Sequence, residues 1–275
     1  MKESYGKLTI NIAGLKLLLE SNNPVVLNDL FNRYKAFDCN EESQLSIRII
    51  VKDWDIKKSK LRLEPVFHDG RLYFPFPDYE GEIDLGRGVA EIAVPRSSAV
   101  EDADYFIRVT TSLLVFRAGG ILLHGAGIIR NGKACIFLGH SGSGKTTVAR
   151  LSPNDQVLND DLVVIMPHQF QEGCNLGWTV YGTPFWNPDQ VTPSQGEAQL
   201  YGMYLLEKDR RVYLDRLERG YAVAEIVSNV PVITLEPEAN LRLLERVSLL
   251  VEVIPVYQLH FLPDGSFWQT IEKVS

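Results

Sequence analysis

Residues 121–166 read ILLHGAGIIRNGKACIFLGHSGSGKTTVARLSPNDQVLNDDLVVIM. Within them, Gly139-His140-Ser141-Gly142-Ser143-Gly144-Lys145-Thr146 matches the phosphate-binding pattern G-x-x-x-x-G-K-[ST]. The apolar run Ala134-Cys135-Ile136-Phe137-Leu138 before it predicts a strand, and Thr147 to Leu151 after it predicts a helical turn, which is the context the pattern requires. Glycines at 139, 142 and 144 let the backbone turn tightly with its N–H groups inward, so that they and the following helix cradle a polyphosphate. On this reading Gly139 to Thr147 bind nucleotide, Lys145 meets the β/γ-phosphates and Thr146 offers a hydroxyl to Mg²⁺. The bland alternative is a Gly/Ser-rich turn that ends in Lys by chance, and the strand and helix on either side argue against it.

Asp160-Asp161 follows Lys145 by about one helix and a turn, between the short strand Gln156 to Asn159 and the apolar run Leu162 to Met166. One carboxylate there can reach a Mg²⁺ held by Thr146 and phosphates, while the other can accept a proton from an incoming hydroxyl. Adjacent aspartates are more commonly a turn or a cap, and it is their position directly after the loop helix that favours a catalytic pair. His124 lies on the strand before Asn131-Gly132, a type I′ hairpin signal pairing Ile128 to Arg130 with Lys133 to Cys135. A His on such a strand is either a satisfied core residue or, near a carboxylate, a tuner of the base's pKa.

The order His124, Gly139 to Thr146, Asp160-Asp161 resembles the catalytic domain of HPr kinase/phosphorylase, of the phosphoenolpyruvate-carboxykinase-like fold. The resemblance spans roughly Gly119 to Trp186. It implies an ATP- and Mg²⁺-dependent serine kinase with Lys145 and Thr146 as phosphate and Mg²⁺ contacts, Asp160 as general base, Asp161 as metal-shell carboxylate and His124 as partner of that base. The long Glu- and Gly-rich signature of bifunctional HPr kinases has no counterpart; Val180-Tyr181-Gly182-Thr183-Pro184-Phe185-Trp186 stands in its place. The similarity is therefore closer to HPr-kinase-related proteins, and the acceptor it implies is a serine in a protein or peptide rather than HPr. Two other readings stay open: a small-molecule kinase acting on a free serine-like hydroxyl, and a non-catalytic nucleotide-dependent binding module. The resemblance also leaves a homo-oligomer open.

Outward from this block, 275 residues with 45% hydrophobic composition suffice for one large or two modest domains. A net charge of −7 argues against nucleic acid as the main ligand, since phosphate backbones are bound through clustered Lys/Arg. Cys39, Cys135 and Cys174 are odd in number and far apart, which suggests neither a disulfide framework nor a metal cluster and fits a reducing cytosol. No apolar run approaches the ~20 residues of a membrane helix and the first residues lack a signal-like apolar core, so the expectation is a cytoplasmic protein with no membrane partner.

The fold class expected is mixed α/β, with a β-rich accessory or substrate-docking domain over 1–100 and the P-loop kinase domain over 101–275. The first is expected to be antiparallel, with strands at Leu8 to Ile12, Leu15 to Leu19 and Leu45 to Val51, a hairpin Leu61 to Phe67 with Arg71 to Phe76 turning at His68-Asp69-Gly70, and one helix, Val25 to Tyr34. Lys57-Lys58-Ser59-Lys60 reads as a solvated edge. Glu101 to Ala118 predicts a long helix whose Glu101, Asp102 and Asp104 cap its first turn. Phe185 and Trp186 are read either as core or as a wall of the acceptor site, and Asn187 to Gly196 as an exposed loop. Leu200 to Leu206 with Arg211 to Leu214 predicts a hairpin whose Arg210 and Arg211 are either solvated or phosphate-stabilising. Helices are expected at Asp215 to Val227 and Pro237 to Val251, then a closing hairpin, Pro255 to Leu262 with Ser266 to Ile271.

Overall fold

The computed structural model describes residues 6–53, 65–75, 80–169, 176–186, 190–231 and 237–274. The chain divides into two compact units, the first ending at Arg117 and the second beginning at Ala118.

The first unit is built on β1 (Gly6–Ile12), β2 (Leu15–Ser21), α1 (Pro24–Tyr34), β3 (Leu45–Lys52), β4 (Val66–His68), β5 (Arg71–Phe74), β6 (Glu80–Asp84), β7 (Val89–Pro95) and α2 (Ala99–Arg117). The strands form one sheet in the order β1-β2-β3-β7-β6-β5-β4. Alternation dictates the faces: β2 and β3 bury every second residue, from Leu15 to Ser21 and from Leu45 to Val51. The two-residue turns Ala13-Gly14 (φ 54° and 79°) and Asp69-Gly70 (φ 50° and 74°) take the doubly left-handed form that closes a tight hairpin. Asn23 caps α1, its side chain accepting from the Val25 and Val26 amides. The sheet is mixed rather than antiparallel: β2–β3 and β3–β7 are parallel pairs, because the connections after β2 and β3 cross over instead of turning back. Residues 57–60 and 61–64 of the expected edge and hairpin lie outside the described residues.

Helix α2 packs on β7, β3 and α1 and so covers the first sheet, although the sequence expectation set the boundary before it, at 100/101. Asp104 does not cap its first turn. It is 5% exposed and binds Tyr34 Oη, Arg33 (3.1 Å) and Arg108 (2.7 Å), pinning α1 to α2.

The second unit contains β8 (Ile121–His124), β9 (Ala126–Arg130), β10 (Lys133–Leu138), α3 (Lys145–Arg150), β11 (Gln156–Asn159), β12 (Leu162–Gln169), β13 (Leu176–Tyr181), β14 (Glu197–Lys208), β15 (Tyr213–Arg216), α4 (Arg219–Ser228), α5 (Pro237–Val253), β16 (Val256–Phe261) and α6 (Phe267–Lys273). The sheet runs β11-β9-β10-β14-β13-β12-β8, with β16 on β14 and β15 on β16. Its two ends are the same strands: β8 continues into β9 through Gly125, and β11 continues into β12 through Asp160-Asp161. The rungs flanking the junction are in step, His124 opposite Leu162 and Gly127 opposite Asn159, with a register shift in the β11–β9 ladder between Val157 and Asn159. The sheet thus curls back on itself as a half-barrel, with its ladder interrupted at Asp160-Asp161. Along β14, one edge pairs with β10 while the other is shared, first with β13 and then with β16. Parallel β10, β14 and β16 end together, and the phosphate-loop sequence leaves from the first of them. Among the described residues no helix is long and apolar enough to cross a membrane.

Two expected hairpins are absent. β14 and β15 do not pair with each other; β16, some forty residues on, lies between them, parallel to one and antiparallel to the other. Residues 266–271 are not a strand but enter α6, which buries Phe267, Trp268 and Ile271 in the core shared by α3, β10, β14 and β16. The helix expected from Asp215 starts at Arg219, since Asp215 and Arg216 finish β15.

Candidate functional site

The phosphate-loop sequence forms a loop after β10, as the strand–loop–helix pattern dictates. Gly139, Gly142 and Gly144 all have positive φ, at 143°, 80° and 116°. Two of these glycines are also sterically required. A Cβ on Gly144 would stand 2.6 Å from the Phe261 ring that floors the loop, and one on Gly139 would stand 2.6 Å from Ser143 Oγ inside it. Lys145, only 8% exposed, turns its ammonium into the loop and donates to the carbonyls of Gly139 (2.6 Å) and His140 (3.2 Å). Burial lowers its pKa, and the charges of Asp161 and Asp160 oppose that shift.

The interrupted ladder brings the remaining predicted residues to the same place. Gly125 N–H donates to the Asp161 carbonyl (2.9 Å), which holds His124 across from the acidic pair. His124 Nδ1 lies 3.2 Å from Asp161 Oδ1, so the structure partners His124 directly with Asp161. Burial and the Lys145 charge push the imidazole pKa down, with Asp161 pulling it up. The main chain of His124 is fixed independently, its N–H donating to the Asn229 carbonyl at the end of α4 (2.7 Å).

Asp160 is 1% exposed, and both of its carboxylate oxygens are buried without a hydrogen bond of good geometry. Burial raises its pKa; the nearby Thr146 hydroxyl and Val191 amide draw it back without satisfying either oxygen. Buried carboxylates are ordinarily bonded or paired, so an orphaned one beside a Lys and a phosphate-loop Thr is a group waiting for a ligand. The donor types fit Mg²⁺: a Thr hydroxyl and carboxylate oxygens are the oxygen ligands that a hard cation keeping few protein ligands takes. Among the described residues no group of three or more His, Cys, Asp or Glu is arranged to hold a metal ion by protein ligands alone.

His140 and Ser141 are exposed at the loop tip, while Ser143 Oγ is buried without a partner against Gly139. Thr146 and Thr147 are half-buried in the first turn of α3. Phe185 is fully buried core, and Trp186 is half-buried. The segment expected as an exposed loop is, over its described residues 190–196, fastened along β11. Ser194 N–H donates to the Leu158 carbonyl (3.1 Å), its hydroxyl to the Val157 carbonyl (2.7 Å), and Pro193 is buried. Arg210 and Arg211 are exposed. Asn159, which sequence reasoning took only as a strand end, proves to be the best-bonded side chain beside the acidic pair; an Asn directly before two aspartates was the available signal, since Asn folds its side chain onto following amides.

A family model, SynChlorMet cassette protein ScmC, matches residues 106–275. The chain belongs to this family. The match to ScmC takes in the whole loop, the acidic pair, His124 and everything after them. A comparison with curated proteins finds no match.

Proposed function

We propose that this ScmC-family chain is an ATP- and Mg²⁺-dependent phosphotransferase on a phosphoenolpyruvate-carboxykinase-like scaffold, similar to HPr-kinase-related proteins, and that its acceptor is a hydroxyl, foremost a serine of a protein or peptide. The observation that carries the reading is Asp160, a buried carboxylate with raised pKa and two unsatisfied oxygens, beside Thr146 and within the field of Lys145. A binding module needs the loop and a metal ligand but has no use for such a base.

The loop amides and Lys145 hold the polyphosphate, with the ammonium exchanging the Gly139 and His140 carbonyls for phosphate oxygens. Thr146 and Asp161 are the groups that would hold Mg²⁺, whose chemistry is to neutralise charge on the leaving phosphates. Asp160 accepts the proton as the acceptor oxygen bonds to the γ-phosphorus and the β–γ bridging oxygen leaves with ADP. Its raised pKa makes it a stronger base than an ordinary carboxylate. His124 sets the orientation and charge of Asp161 through their 3.2 Å contact.

The family's name refers to a cassette, which directs the acceptor search to peptides and proteins encoded with the chain. The test uses γ-labelled ATP and Mg²⁺ with those acceptors, HPr and free serine, and the D160N variant as blank. Label on a serine of one acceptor, absent with D160N, supports the reading. Tight ATP binding with label on no acceptor refutes it in favour of a nucleotide-gated module, and label on free serine alone moves it to a small-molecule kinase.

A further inference from the structure

Asn159 sits one residue before the acidic pair and is fully buried. Its Oδ1 accepts from the Asp161 N–H (2.7 Å) and the Leu162 N–H (3.0 Å). Its Nδ2 donates to the carbonyls of Thr183 (3.0 Å) and Phe185 (2.8 Å) and reaches the Thr183 hydroxyl (3.2 Å). That hydroxyl donates onward to the Leu162 carbonyl (2.7 Å). Two amide N–H groups on one side and two carbonyls on the other leave the Asn side chain a single orientation.

The arrangement answers a specific need. Between the Asn159 and Leu162 rungs the antiparallel ladder is interrupted at Asp160-Asp161, and the cross-strand backbone bond that remains there is Gly125 N–H to the Asp161 carbonyl (2.9 Å). Asn159 supplies replacements from inside the bend and fastens the same bend to residues 182–186. Ser or Thr has one hydroxyl for four partners, and Asp has no donor for two carbonyls; an amide of this length meets all four.

We propose that Asn159 is a positioning residue: it locks the bend carrying Asp160 and Asp161 to the 182–186 loop, so that base, metal-side carboxylate and this loop keep one geometry. The role in catalysis rests on the phosphoryl-transfer reading above. A displacement of about 1 Å at reacting groups costs on the order of 10²-fold in rate, which sets the size of the effect.

The discriminating variant is N159D, which keeps the shape and both acceptor bonds. When its carboxyl is protonated it retains one donor; when ionised it has none and faces the Thr183 and Phe185 carbonyls. Transfer relative to wild type at the same pH should therefore be down about 10²-fold at about pH 8, and the ratio should rise towards unity as pH is lowered, with ATP affinity in the absence of Mg²⁺ within about threefold of wild type. Hydrogen exchange on the ligand-free protein should speed up about tenfold in segments 160–163 and 182–186 together, while 139–151 is unchanged. Faster exchange of the two segments in N159D, with a wild type that labels no acceptor, overturns the kinase reading and keeps the locking role. Wild-type exchange in both segments, or wild-type transfer at every pH, overturns the proposal. T183V, which removes only the hydroxyl contacts, decides by the same two measurements should N159D fail to fold.

Discussion

Asp104 in the first unit and Asp160 in the second are buried to nearly the same depth, 5% and 1% exposed, yet their surroundings are opposite. Asp104 is saturated: Tyr34 donates to one oxygen, Arg108 to the other, and Arg33 stands at 3.1 Å. Asp160 has no hydrogen bond to either oxygen, and Lys145, whose charge it influences, is occupied with loop carbonyls. Burial alone therefore does not distinguish a structural carboxylate from a functional one. The difference lies in whether the fold satisfies the charge or leaves it for something outside the chain.

The largest consequence is for activity. D160N should lower phosphoryl transfer at least about 10³-fold and change ATP affinity by no more than about threefold, measured with labelled ATP and by equilibrium binding. If D160N kept wild-type rates, the contrast between the two carboxylates would have no catalytic meaning. D104A should act on stability instead: stranding Arg33 and Arg108 around an emptied buried site costs about 3–5 kcal/mol, read in urea denaturation as an earlier unfolding of the first unit. A loss below about 1 kcal/mol would show that the network is dispensable.

D160N should, unlike D104A, raise stability, by about 1–3 kcal/mol at about pH 8, because an unsatisfied buried charge is removed. Since the folded-state pKa of Asp160 is raised, its carboxyl costs nothing at a pH below the ordinary carboxylate range. The cost develops as pH rises from the ordinary value through the raised one. The stability gap between D160N and wild type should thus widen from about pH 4 to about pH 8; a gap independent of pH would mean that Asp160 is not destabilised as a carboxylate. The smallest effect is on His124, whose imidazole should titrate below its ordinary value of about 6.5 in NMR. K145M should move that midpoint up and D161N should move it down, and a midpoint indifferent to both would dissolve the charge cluster.

What was legible in the sequence was local. The loop pattern, the Asn131-Gly132 turn (φ 52° and 75°) and the Asn23 cap are each written in a few adjacent residues whose backbone preferences leave little choice. Longer-range features misled. An acidic residue near the start of α2 reads as a cap until Tyr34 and Arg33 arrive from another helix. Phe267, Trp268 and Ile271 fit a strand as well as a short helix, and only a core needing three side chains on one side selects the helix. The 200–214 stretch reads as a hairpin because β16, which separates its two strands, is written some forty residues downstream.

By itself the sequence determined which candidate groups this chain carries: a glycine-rich loop with Lys145 and Thr146, two aspartates one short helix later, and a histidine before the loop. Their spacing is covalent and their local conformations follow from residue type. Only the tertiary structure decided how they differ from one another. The curled sheet breaks its ladder at Asp160-Asp161, pairs His124 with Asp161, leaves Asp160 buried and unsatisfied, and turns Asn159 into the tie to the 182–186 loop. Burial and hydrogen-bond satisfaction are set by segments that meet across the fold, so no window of sequence contains them.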